Sequence, residues 1–172
     1  MTSTYEMIAT TTLGTTSATI SLSSIPSTYT DLVLVISART NRSGQATDGL
    51  NIKFDTDDGN NYSDTDLIGN GSSASSSRDT NSSRWLTNDA NLPGATATSG
   101  VFSAIIVSLQ NYANTNVYKT GLCRFNLASS NTGASVGLWR STSAIDAITL
   151  ISRNNADFVS GSTFTLYGIK AE

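Results

Sequence analysis

The stretch Leu32-Val33-Leu34-Val35-Ile36-Ser37 places apolar side chains on both faces of an extended chain. A short apolar run that is rich in β-branched residues is typical of a strand in the interior of a sheet. The run is far too short to span a membrane, which takes about 20 apolar residues in a helix. It therefore predicts a central β-strand.

The segments around this run also have strand patterns. Residues 16–22 alternate Ala18, Ile20 and Leu22 with Ser and Thr, which predicts a strand with one buried face. In residues 50–54, three apolar side chains lie on one side. Further strands are predicted at residues 5–12, 62–68, 84–87, 101–109, 117–125, 135–140, 145–151 and 163–169, with 62–68 as a polar strand at a sheet edge.

The composition favours an all-β fold. The 172 residues include 25 Thr, 12 Ile and 7 Val, which are β-branched, but only 2 Glu, 3 Lys and 2 Gln, the usual helix formers of protein surfaces. Many short strands separated by turn residues favour a sandwich over a parallel α/β sheet. We therefore predict one domain over residues 1–172, an antiparallel two-sheet β-sandwich resembling a jelly roll, with about nine or ten strands.

Two stretches without regular apolar spacing are predicted to be loops. Residues 69–83 are rich in Ser and lack apolar anchors, so we expect an exposed, mobile loop. Residues 88–100 form a second predicted loop, in which Pro93-Gly94 is a turn signal.

The residue counts exclude several kinds of chemistry. The chain has no His and one Cys, which excludes Ser-His-Asp and Cys-His catalysis, His-ligated zinc, thiolate cages and a disulfide within the chain. A net charge of −3, with 13% charged residues, does not suit nucleic-acid binding. The start of the chain has no secretory signal pattern. We expect no catalytic residues, no cofactor, no bound metal and no membrane insertion.

A cluster of six aspartates is the strongest candidate for a metal-binding or catalytic site. Carboxylates at this density suggest a calcium loop over residues 55–61, or paired acids for glycoside hydrolysis. The spacing does not fit an EF-hand, because Gly59 stands fifth from Asp55 and no Glu follows nearby. Asp, Gly and Asn are also the residues expected in a β-turn, which is the interpretation we favour. The cluster consists of Asp48, Asp55, Asp57, Asp58, Asp64 and Asp66.

Three other features have a functional and a structural interpretation. Residues 69–74 match the dinucleotide pattern G-x-G-x-x-A, but no helical periodicity follows, so we treat the match as accidental. Cys123 alternates with apolar residues, which favours a small buried side chain over a reactive thiol. Five aromatic residues could stack on sugar rings, although a role in the core is favoured. They are Tyr62, Trp85, Tyr112, Tyr118 and Trp139.

An ordered set of short segments resembles a known protein family. The set covers nearly the whole chain, and the ordered combination is more specific than any one segment. The segments are YEMIATTTLG (5–14), IPSTYTDLVL (25–34), NYS (61–63), GNGS (69–72), GLW (137–139) and FVSGSTFTLYGI (158–169). Together they resemble a family of small virion proteins of tailed bacteriophages, common in phages of cyanobacteria and marine bacteria.

The resemblance implies a jelly-roll β-sandwich and a homotrimer, similar to capsid decoration (cement) proteins and to distal modules of tail fibres. It supplies no catalytic or ligand motif. We expect a non-enzymatic virion structural protein on the particle surface that decorates the capsid and binds the major capsid protein. The alternative is a tail-fibre or receptor-binding module that recognises host surface glycan, with other tail proteins as partners.

Overall fold

The chain is described here by a computed structural model that covers residues 4–170, with residues 88–90 described by their backbone alone. Every regular element in this part of the chain is a β-strand. The twelve strands are β1 (Tyr5–Thr12), β2 (Thr19–Leu22), β3 (Asp31–Ala38), β4 (Thr47–Phe54), β5 (Tyr62–Gly69), β6 (Ala74–Ser82), β7 (Trp85–Pro93), β8 (Ser103–Gln110), β9 (Lys119–Leu127), β10 (Asn131–Trp139), β11 (Ile148–Ser152) and β12 (Thr163–Ile169).

These strands form two antiparallel sheets. One has eight strands in the order β1-β12-β3-β8-β9-β10-β5-β6, and the other has four in the order β2-β11-β4-β7. The predicted all-β sandwich is confirmed, with twelve strands in the described residues instead of nine or ten. Strand β3, which contains residues 32–37, lies between β12 and β8, so the predicted central strand is also confirmed.

The strand pairing has jelly-roll topology. Strand β1 pairs with β12, β2 with β11, β3 with β8 and β4 with β7, all antiparallel. Strands β1 to β4 therefore form one arm of a long hairpin, and β7, β8, β11 and β12 form the arm that pairs with it in reverse order. Rolling such a hairpin into two facing sheets produces a jelly roll, as the sequence predicted.

Two hairpins, β5–β6 and β9–β10, are inserted into this roll. Strand β10 pairs with β5, and β9 pairs with β8, so both hairpins extend the larger sheet at one end. The turn between β5 and β6 is held by Asn70, whose side-chain oxygen accepts hydrogen bonds from the backbone N–H groups of Ser72 and Ser73. Gly71 in this turn has a φ of 86°, which favours glycine.

Residues 69–83 are mostly exposed, as predicted. The prediction that they form a loop is wrong, because residues 74–82 form strand β6. An edge strand needs only backbone hydrogen bonds to its neighbour. Both faces of β6 carry polar, mostly exposed side chains, so the sequence has no apolar alternation to indicate a strand. The hairpin turn also accounts for the dinucleotide-like pattern of residues 69–74, since a strand and not a helix follows it.

Three other local predictions were wrong. Residues 88–93, predicted as a loop, continue strand β7 and pair partly with β4 across a register shift. Residues 62–68 were placed at an edge, but β5 lies between β10 and β6. Ala18 was assigned to the core but is exposed, because β2 begins one residue later, at Thr19.

The core lies between the two sheets. Trp85 of β7 is 1% exposed, and its ring reaches across to the inserted hairpin of the larger sheet, where Gly121 and Gly137 leave room for it. Buried apolar residues from both sheets fill the rest of the interior. They include Ile20, Leu34, Ile36, Leu50, Ile52, Ile105, Val107, Leu150, Phe164 and Leu166.

Candidate interaction surface

The residues 55–61 form a turn, as favoured from the sequence. The Asp57 carboxylate accepts hydrogen bonds from the Gly59 N–H at 2.8 Å, from Asn61 Nδ2 at 2.9 Å and from Trp139 Nε1 at 2.6 Å. Asp58 pairs with Lys53 at 2.7 Å. These carboxylates are engaged in holding the turn and in joining it to the sheet.

Asp48 and Asp55 have similar structural roles. Asp48 is fully buried and accepts hydrogen bonds from Thr40 Oγ1 at 3.0 Å and from Asn154 Nδ2 at 2.7 Å. Asp55 Oδ1 accepts from the backbone N–H groups of Asp146 and Ala147. Among the described residues, no group of three or more His, Cys, Asp or Glu side chains is placed to hold a metal ion.

Asp64 and Asp66 lie on the inner face of β5, each 3% exposed. Burial raises the pKa of Asp64 to about 7, and the neighbouring Asp66 carboxylate adds to the effect. One Asp64 oxygen accepts a long hydrogen bond, 3.4 Å, from the Leu86 N–H of the opposite sheet. A raised pKa suits a general acid, but a side chain enclosed between two sheets does not meet a polysaccharide in solution.

Four of the five aromatic candidates are core residues, which confirms the structural interpretation for them. Tyr62 and Tyr112 are fully buried, and Trp85 and Trp139 are 1% and 2% exposed. Trp85 Nε1 donates a hydrogen bond of 2.8 Å to Ser135 Oγ. Tyr118 is the exception.

Tyr118 lies in the connection between β8 and β9 and is 55% exposed.

The single cysteine behaves as the sequence predicted. Cys123 is fully buried, and burial raises the pKa of its thiol.

Two cationic side chains hold long connections in place through hydrogen bonds to backbone carbonyls. Arg39 donates hydrogen bonds to backbone carbonyls of the connection between β7 and β8, including those of Gly94 at 2.9 Å and Ala97 at 2.8 Å. Lys119 is 2% exposed, and its ammonium group donates to the carbonyls of Asn114 and Val117. These groups fix the long connections to the sheets.

The outer face of the eight-stranded sheet carries exposed apolar side chains. Val35, Leu122, Val136 and Leu67 are 40%, 40%, 53% and 61% exposed. With Ile106 and Ala134 they form three directly opposed pairs on adjacent strands, Val35 with Ile106, Leu122 with Val136, and Leu67 with Ala134. We call the surface formed by Val35, Leu67, Ile106, Leu122, Ala134 and Val136 the outer apolar face.

A groove opens on this face across β8, β9, β10, β5 and the start of β6, next to the turns of the inserted hairpins. Its volume is 620 Å³, and its lining includes Leu67, Ile106, Arg124 and Ala134. Contiguous exposed apolar surface and concave apolar grooves are the usual marks of a binding surface. This part of the molecule is the strongest candidate for contact with a partner.

From the sequence, only the strand predicted at residues 32–37 was recognised as having apolar side chains on both of its faces. Sequence reasoning missed Leu122 and Val136, which point outward while Cys123 and Ser135 point inward. The signal was available, because apolar residues stand on both sides of the alternation in β9. What it could not show is that the β9–β10 hairpin lies beside the β5–β6 hairpin, which brings Leu122 and Val136 onto one surface with Leu67.

The fold defines the chain as a jelly-roll β-sandwich with an exposed apolar sheet face. No family model matches the chain, and no curated protein does so either. Within residues 4–170, no helix is long and apolar enough to cross a membrane.

Proposed function

We propose that the chain is a non-enzymatic virion structural protein of a tailed phage that decorates the exterior of the capsid. The observation that carries this proposal is the outer apolar face. It extends over five adjacent strands, from β3 to β5, and exposes aliphatic side chains whose burial against a partner would be favourable. A protein that stabilises a lattice works through such a contact surface.

The rest of the fold suits the same task. The two sheets pack through a continuous apolar core, and the long connections are clamped by internal hydrogen bonds, such as those of Arg39. A rigid contact surface loses little conformational entropy when it binds. We propose the major capsid protein as the partner, the particle surface as the location and a homotrimer as the assembly.

One observation favours the tail-fibre or receptor-binding alternative. Tyr118 is exposed in a connection that also contains Asn111, Asn114 and Asn116, and aromatic rings beside amides are suited to bind sugars. The four other aromatic candidates are buried and do not support it. Binding of the purified protein to a host-glycan array, abolished in Tyr118→Ala, would favour this alternative over capsid decoration.

The copy number in purified virions tests capsid decoration. Quantitative mass spectrometry of virions from a phage that encodes the chain should find it at a copy number comparable with that of the major capsid protein, because a decoration protein occupies a repeated lattice. The tail-tube and portal proteins, which are present in far fewer copies, provide the internal scale. A copy number near theirs would refute the proposal.

A further inference from the structure

The groove on the outer apolar face has a floor of small side chains that crosses five strands. In register, Ala104 of β8 lies beside Asn126 of β9, then Thr132 of β10, Gly69 of β5 and Ala74 of β6. All five residues line the groove. Four inter-strand spacings give this floor a length of about 19 Å.

The neighbouring register row forms a taller wall. Ile106, Arg124, Ala134 and Leu67 follow one another across β8, β9, β10 and β5, and all four line the groove. Two large aliphatic side chains, Ile106 and Leu67, bound the floor on this side, and we call the floor and this wall the trough. The trough runs across the strands, so an occupant would contact side chains and not the backbone edge of the sheet.

Arg124 is the charged side chain of this lining. Its guanidinium group is exposed and makes no hydrogen bond or ion pair with the residues that the structure describes. This distinguishes it from Arg39 and Arg140, whose guanidinium groups are bonded to neighbouring groups of the chain. A guanidinium with free donors beside aliphatic surface is complementary to a carboxylate on an apolar ligand.

The length of the trough favours a peptide over a small molecule. An extended chain advances about 3.3 Å per residue, so about six residues span the floor. The volume of 620 Å³ lies in the usual range of ligand-binding clefts, so the peptide is favoured by the length of the floor and not by the volume. The apolar wall selects small or aliphatic side chains, and Arg124 selects one acidic residue among them.

We propose that this groove binds an extended, apolar segment with one acidic residue, contributed by the major capsid protein, and that Arg124 pairs with its carboxylate. The proposal rests on the proposed function, since it names the surface and the chemistry by which the chain holds the capsid.

The test adds purified protein to capsids from a phage in which its gene is deleted. Binding is measured as occupancy against protein concentration. Arg124→Glu should weaken binding roughly thirtyfold or more, because it sets two carboxylates against each other. Ala104→Trp should weaken it similarly, because the indole fills the floor of the groove. Ala104 is exposed, so this change leaves the core intact.

The matched control is Arg78→Glu, which makes the same charge change on β6, at an exposed position outside the groove but on the same face, in the register row of Leu122 and Val136. Because this position lies at the rim of the outer apolar face, its binding should fall by no more than about fivefold, clearly less than that of Arg124→Glu. Thermal unfolding of all variants verifies that they fold. Wild-type binding with no loss in Arg124→Glu and Ala104→Trp would overturn the groove proposal and leave capsid decoration standing. An equal loss in Arg78→Glu would overturn it too. If the wild-type protein does not bind, capsid decoration itself is wrong, and the groove proposal falls with it.

Discussion

Replacing Trp85 by alanine is expected to lower the free energy of unfolding by about 3–5 kcal/mol. Trp85 is among the largest fully buried side chains, and its ring fills the space above two glycines of the inserted hairpin, Gly121 and Gly137. Its removal leaves a cavity between the sheets and frees Ser135 Oγ from its hydrogen bond to Nε1. Urea unfolding of the purified protein, followed by circular dichroism, measures the change.

A double-mutant cycle with Gly137 separates this packing from a general loss of stability. A Cβ on Gly137 would overlap the Trp85 ring, so Gly137→Ala alone should destabilise the wild-type protein by roughly 1–3 kcal/mol. In the Trp85→Ala background, Gly137→Ala should lower the free energy of unfolding much less, because the ring that the new Cβ would overlap is absent. Gly14→Ala, at a glycine with open space around it, is the control and should have little effect. Additive effects of the Trp85 and Gly137 changes would contradict the packing described here.

Asp64→Asn is expected to make the protein more stable at pH 8 by roughly 2–4 kcal/mol, with little difference at pH 4. The folded-state pKa of Asp64 is raised by burial to about 7, from an ordinary value of 3.8. Between those values the unfolded chain releases the proton while the folded chain keeps it. Stability from this group is therefore complete below pH 4 and is lost as the pH rises toward 7.

Unfolding curves from pH 4 to pH 8 measure this dependence. The wild-type protein should lose stability over that range, and Asp64→Asn should remove most of the loss. The Asp66 and Asp79 carboxylates raise the pKa of Asp64, while the Arg153 guanidinium lowers it. Asp58→Asn removes the same charge from a side chain that is 83% exposed, and controls for net charge. A pH profile of Asp64→Asn that matches the wild type would show that Asp64 is not the group responsible.

The strands that were predicted well are those whose burial differs between their two faces or whose residues are apolar throughout. The bounds of β12, in which buried and half-buried residues alternate, were predicted to the residue, and β3 was placed in the interior of its sheet. In these strands the side chains themselves carry the information, because burial depends on apolar surface. Composition was sufficient for the all-β class.

Strand β6 and the pairing between the two inserted hairpins could not be predicted for a different reason. Strand β6 is stabilised by backbone pairing to β5, and its Ser-rich sequence carries no sign of that pairing. The groove on the outer apolar face depends on the pairing of β10 with β5, two strands that are far apart in the chain. Neither the spacing nor the composition of a single sequence gives such a pairing, so Arg124 could not be placed in a groove.

A cryo-EM map of purified particles from a phage that encodes the chain tests capsid decoration most directly. The proposal predicts jelly-roll density in groups of three on the capsid exterior, with the outer apolar face turned toward the major capsid protein and Arg124 at the contact. Density for the chain only on the tail, or an outer apolar face turned toward solvent, would contradict it.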